Sequence, residues 1–149
     1  MRMTILTGLA LALLAVGCGS DDPDGDGGSS GGEKAALSGP VTYERGGGLK
    51  GRRDRLVVRP DGSATLTVRD TEKSVTLTDK ELATLADDLD QADLGALPAD
   101  STSETPMPDT FGYRVSYGGD EVTTDDTAMP DQLRGLMARL GGLVDRYEQ

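Results

Sequence analysis

The chain has 149 residues, with 26 acidic side chains against 15 basic ones and a formal net charge of −11. That balance excludes nucleic acid, which needs clustered positive charge, and argues against adhesion to anionic lipid headgroups beyond a covalent anchor. With no histidine and a single cysteine, Cys18, the chain has no Ser-His-Asp or Cys-His arrangement and no imidazole for zinc, so neither an enzyme nor a cofactor or metal is expected.

The N-terminus starts with Met1-Arg2-Met3, followed by an apolar run from Ile5 to Val16. That run falls short of the roughly 20 apolar residues needed to span a bilayer. A charged start, a short apolar middle and small residues at a cut are the layout of an export signal. The cut reads Leu14-Ala15-Val16-Gly17-Cys18-Gly19-Ser20, which resembles the lipobox of bacterial lipoproteins, with Ala15 where the usual motif has Leu. The resemblance implies that Cys18 receives a diacylglycerol and, after cleavage, an amide-linked acyl chain such as palmitate. Cysteine arithmetic agrees, because an unpaired cysteine in an exported protein calls for a special explanation. Residues 1–17 are therefore expected to be a signal peptide, and the mature protein a lipid-anchored protein on the extracytoplasmic side of the cell membrane. Its first partner is the bilayer itself, through acylated Cys18.

Residues 18–34 hold the lipidated cysteine and a Gly/Ser/Asp tether that has nothing to bury. Such a tether holds the rest of the chain roughly 20 Å from the membrane. Asp22, Asp24, Asp26, Gly27 and Glu33 match the spacing of a calcium-binding EF-hand loop. An EF-hand lies between two helices, however, and neither flank reads as one, so the match reads as a product of composition.

Residues 35–149 are long enough for one domain. Pro40 to Arg45 alternates apolar and polar residues as a first strand, and Gly46 to Gly51 is a glycine-rich turn. Arg53 to Arg59 and Ser63 to Arg69 form a hairpin about the turn signal Pro60-Asp61-Gly62, and Ser74 to Leu77 extends the sheet. Thr78 and Glu81 form a capping box, and the helix they open carries Leu82, Leu85, Ala86 and Leu89 on one face. It should end near Asp93, since Gly95 and Pro98 cannot continue it.

Ala99 to Asp109 is polar, holds Pro106 and Pro108, and reads as a loop. Phe111 to Tyr117 is an aromatic strand expected to pack in the core, and Glu121 to Thr124 is a short one. Pro130 suits the first turn of a closing helix whose stripe runs through Leu133, Leu136, Met137, Leu140, Leu143, Val144 and Tyr147. Gly141-Gly142 is expected to bend or shorten it. The acidic pairs Asp87-Asp88 and Asp125-Asp126 read as solvated faces rather than catalytic dyads. The order predicts an α+β fold: an antiparallel sheet of four to five strands with both helices packed on one face.

Several features recur together in order. Val41-Thr42-Tyr43-Glu44-Arg45-Gly46-Gly47 is followed by Leu49-Lys50-Gly51, then Ala92-Asp93-Leu94-Gly95-Ala96-Leu97-Pro98. Asp109 to Val115 and Met129-Pro130-Asp131-Gln132-Leu133 complete the set. This pattern, from about Val41 to Leu140, resembles the emfourin family, small proteinaceous inhibitors of thermolysin-like metalloproteases. The resemblance implies an exported, thiol-independent metalloprotease as a partner, although emfourin-like inhibitors typically lack an export signal and lipid anchor. Without histidine or a free thiol, inhibition would proceed by steric occlusion rather than chelation by soft ligands. Two surfaces are candidates for partner contact: the glycine turn, with Leu49, Lys50, Arg52 and Arg53, and the Ser101 to Asp109 loop, with Thr105 and Met107. Long loops in small domains are often functional, and proline stiffens them. The alternative is a cell-envelope binding module with no protease target.

Overall fold

The structure is a computed structural model, and it describes residues 36–105 and 107–149. The residues expected to form an export signal and a tether, with Cys18 and the EF-hand-like spacing, and Pro106 lie outside the described residues. All the described residues belong to one folding unit.

Seven strands and two helices run in the order β1 (Val41–Gly47), β2 (Arg52–Val58), β3 (Ser63–Val68), β4 (Thr71–Thr76), α1 (Asp79–Ala92), β5 (Asp100–Ser101), β6 (Phe111–Tyr117), β7 (Asp120–Asp125) and α2 (Asp131–Glu148). They form one sheet in the order β4-β3-β2-β1-β6-β7-β5. Every pairing is antiparallel except β5 with β7, which is parallel. The α+β class and the mainly antiparallel sheet are as expected from the sequence, but there are seven strands rather than four to five. β4 (Thr71–Thr76) lies where Ser74 to Leu77 is expected to extend the sheet, although it starts earlier, and β5 is an added strand of two residues. The pairing of β5 comes from neighbouring backbone, which leaves no apolar alternation in so short a segment.

Register places Tyr43, Leu56, Leu66, Val115 and Val122 in one row across the sheet, and Val41, Val58 and Ala64 in the next. All eight are buried, and they form one cluster with Leu85 and Leu89 of α1 and Leu133, Leu136, Leu140 and Val144 of α2. Period two on the strands and a three-to-four spacing on the helices thus turn both sets toward the same layer. The opposite face of the sheet carries Thr42, Glu44, Arg55, Thr67 and Arg114 and is open.

The helix boundaries arise from their chemistry. The Thr78 hydroxyl accepts from Glu81 N–H at 3.3 Å while Thr78 N–H donates to Glu81 Oε2 at 2.8 Å, the expected reciprocal cap. Burial pushes the Glu81 carboxyl up, but the two Thr78 donors and Tyr147 outweigh it and hold the group below the ordinary range. The helix ends at Asp93, which turns left-handed (φ 43°) and donates to the Leu89 carbonyl. Pro130 stands just before α2 as its N-cap, one place earlier than the sequence suggests.

Gly141 and Gly142 do not shorten α2, which is continuous through both. Gly141 is buried where the helix passes Tyr43 and Arg45, whereas Gly142 faces open space. Tertiary packing on either side of the pair holds the helix through the two poor helix formers.

Candidate functional site

The two surfaces singled out in the sequence meet at one end of the sheet. Gly48 N–H, in the turn between β1 and β2, donates to the Thr110 carbonyl at 3.0 Å. Thr110 in turn closes the far end of the 102–110 loop, its N–H and hydroxyl both donating to the Met107 carbonyl, at 3.2 and 2.8 Å. Gly48 also lies over the Phe111 ring: a β-carbon there would stand 2.8 Å from Cζ. Its φ of +67° suits glycine, so both backbone and packing demand the residue.

This arrangement displays Leu49 and Met107, the large hydrophobic side chains left exposed among the described residues, at 86% and 59%. Burying apolar surface is the general drive for association, so two such side chains on stitched neighbouring loops are a ready contact surface. Lys50 and Thr105 are exposed beside them. A depression of about 340 Å³ lies against the turn, bounded by Leu49, Lys50, Phe111 and Arg69.

Arg52 and Arg53, adjacent in sequence, point to opposite faces. Arg52 turns toward the helical layer and binds Asp54 Oδ2 at 2.5 Å and Glu148 Oε2 at 2.5 Å. Arg45 joins the same network, with Nε 2.8 Å from Asp54 Oδ2 and Nη2 2.8 Å from Asp145 Oδ1. The Asp54 side chain is fully buried, so two guanidinium groups are what make its burial tolerable. Burial works against the Arg45 charge, but its bonds to Asp145 and Asp54 outweigh that and raise its pKa. The network ties the C-terminal turn of α2 to β1 and β2 directly beneath the glycine turn, so Arg52 supports the surface from below. Arg53 is exposed on the open face.

Of the acidic pair Asp125-Asp126, expected to be a solvated face, Asp126 is exposed but Asp125 is not. Asp125 is only 7% exposed and accepts from Ser103 N–H (2.6 Å), Thr127 N–H (2.8 Å), Thr127 hydroxyl (2.6 Å) and Ala128 N–H (2.9 Å). The Thr127 hydroxyl and the Ser103 amide are the strongest of these influences and pull the Asp125 pKa down to about 2. Asp126 accepts from Phe111 N–H at 2.8 Å and from the Tyr113 hydroxyl at 2.6 Å. Burial, then the Asp126 hydrogen bond, raises the Tyr113 pKa. Both aspartates are thus loop anchors: one fixes the start of the 102–110 segment, the other the start of β6. Asp88 of the other pair is bound to Arg139 at 2.9 Å.

Reading the sequence alone misses these anchors, yet a signal is present. Asp-x-Ser/Thr occurs at Asp61-Ser63, Asp100-Thr102 and Asp125-Thr127, and in each the carboxylate accepts from the amide and hydroxyl two residues on. The 99–109 segment also begins as strand β5 rather than loop, since Asp100 and Ser101 pair with Thr123 and Thr124. The aromatic strand is only half-buried at Phe111, Tyr113 and Tyr117, and the fully buried ring is Tyr43, stacked on Tyr113 with centroids 6.4 Å apart.

Among the described residues no three or more Cys, Asp or Glu side chains are grouped to hold a metal ion. Nor is any helix among them long and apolar enough to cross a membrane. Compared with known proteins, the chain matches no family model and no curated relative.

Proposed function

We propose that this chain is a lipid-anchored protein on the extracytoplasmic side of a bacterial membrane, whose domain inhibits an exported thermolysin-like metalloprotease by filling its cleft. One observation carries the binding surface: the Gly48–Thr110 hydrogen bond, which brings the turn bearing Leu49 next to the loop bearing Met107. The class of partner rests on the resemblance of the domain to the emfourin family. Inhibition is steric, with apolar tips entering a cleft and a preorganised loop limiting the entropy lost on binding. The domain has no catalytic role in this reading. Lipidation at Cys18 keeps it at the membrane, where an exported protease would meet it.

The test is a titration of residues 35–149 against a thermolysin-like protease, reading peptide hydrolysis. Stoichiometric loss of activity supports the reading. Full activity in the presence of folded domain rejects it and leaves an envelope binding module whose partner is another protein. Replacing residues 101–109 by a short Gly-Ser loop should abolish inhibition. The anchor is tested apart from this: Cys18→Ser should move the protein from the membrane fraction to the soluble one and remove the acyl mass from its N-terminal peptide.

A further inference from the structure

The open face of the sheet bears a second feature, on the side of the domain away from the helices. Gly46 and Gly112 are paired across β1 and β6 and floor a trough of about 500 Å³. Five arginines line it: Arg45, Arg53, Arg55, Arg69 and Arg114. Three of them are spoken for. Arg45 is bound to Asp54 and Asp145. Arg55 lies 3.2 Å from Glu44, and Arg114 lies 3.9 Å from Glu44 and 3.6 Å from Glu121. Arg53 and Arg69 have no ion pair among the described residues, in a chain where acids outnumber bases by 26 to 15.

The backbones of these two arginines are also held side by side. The β2–β3 register pairs Asp54 with Val68, and one step further Arg69 N–H donates to the Arg53 carbonyl at 2.6 Å. Like charges directly opposite on neighbouring strands repel. Arg69 moreover sits at φ 55°, a left-handed conformation that costs an ordinary residue free energy and that glycine or asparagine would adopt more readily. Repulsion, backbone strain and the lack of a counter-ion coincide at one spot, and a bound anion would relieve two of the three.

We propose that Arg53 and Arg69 form a clamp for a carboxylate, and that it receives an acidic side chain of the same protein partner whose apolar surface meets Leu49 and Met107. This rests on the reading of the turn end as a protein-binding surface. The two sites are continuous, because Arg69 lines both the trough and the depression beside Leu49 and Lys50. The rest of the face selects the kind of anion. A uniformly charged polymer laid across the sheet would meet Glu44 and Glu121, whereas one carboxylate on a protein loop meets only the free pair. Guanidinium suits that task, since its planar fork matches a carboxylate with two parallel hydrogen bonds.

The experiment uses the full acylated chain in detergent micelles, with arginine Nε–Hε resonances followed by NMR. The probe is an N-acetylated, C-amidated Gly-Glu-Gly peptide, which carries one carboxylate, and its Gly-Gln-Gly counterpart is the control. The clamp predicts saturable shifts at Arg53 and Arg69, little response at Arg59, and none with the glutamine peptide. Arg53→Gln and Arg69→Gly should each weaken the glutamate peptide about tenfold, the loss of one charge-assisted contact. Arg59→Gln should leave affinity within about twofold. Equal shifts at Arg59, binding of the glutamine peptide, or complete displacement by an equal concentration of inorganic phosphate would each overturn the assignment. Protease titration separates the two readings. Peptide binding without protease inhibition keeps the clamp and rejects the metalloprotease. Inhibition that both arginine variants leave unchanged keeps the protease and rejects the clamp.

Discussion

Gly48 and Thr110, 62 positions apart, are joined by a hydrogen bond of 3.0 Å between the turn after β1 and the residue before β6. The close approach depends on Gly48 having no side chain over the Phe111 ring. Gly48→Ala should therefore destabilise the domain by about 1–3 kcal/mol, combining left-handed strain with overpacking. Urea unfolding of this variant, of Phe111→Ala and of the double variant checks it. The double should cost less than the sum, because truncating the ring removes the clash. Strict additivity would show that the ring does not set the position of the turn.

Leu49 and Met107 give the opposite signature. Both are exposed, so Leu49→Ala and Met107→Ala should change stability by no more than about 0.5 kcal/mol. If they are the apolar contacts of the partner, each should weaken protease inhibition about tenfold or more. Inhibition constants read beside melting curves decide the matter. Loss of potency together with loss of fold would not bear on binding, so the melting curve is the necessary companion.

Asp125 predicts an acid sensitivity. Its pKa is pulled down to about 2 in the folded protein, from an unfolded value of 3.8. A depressed carboxylate pKa stabilises the fold fully above the unfolded value, and the contribution is lost as pH falls from about 4 toward 2. Asp125→Asn should be less stable than the parent at neutral pH and should flatten the decline of stability across that window. Denaturant unfolding at a series of pH values measures both effects. Hydrogen exchange should rise first at Ser103, Thr127 and Ala128, whose amides the carboxylate holds.

Arg69 should be replaceable at a gain. Arg69→Gly relieves the left-handed backbone and removes a like-charge neighbour of Arg53, which should stabilise the fold by about 1 kcal/mol. Thermal and urea unfolding test the sign. A loss of stability would mean that the arginine makes its own favourable contacts in the free protein.

Gly142 offers a control on the helix. A β-carbon there meets nothing within 4 Å, and the residue is exposed in the body of α2. Gly142→Ala should therefore stabilise by about 1 kcal/mol through helix propensity alone. Gly141→Ala, whose β-carbon would sit 3.6 Å from the Tyr43 hydroxyl and from Arg45, should gain less. Calorimetric melting of the two single variants measures the difference.

Features written in local pattern were legible in the chain before any coordinates. Period-two alternation set β1, β2, β3 and β6, and the Thr78–Glu81 box set the start of α1. A leucine stripe set α2, and glycine with proline set the breaks. Features that depend on partners distant in the chain emerge only on folding. β5 exists because β7, 23 residues on, offers hydrogen bonds, and no apolar rhythm announces it. Arg52 and Arg53 look alike in sequence, but pleating sends one into an ion-pair network with α2 and leaves the other on the open face. Asp125 looks solvated until the 102–110 loop folds over it, because burial and hydrogen bonding belong to the assembled surface and not to the residue type.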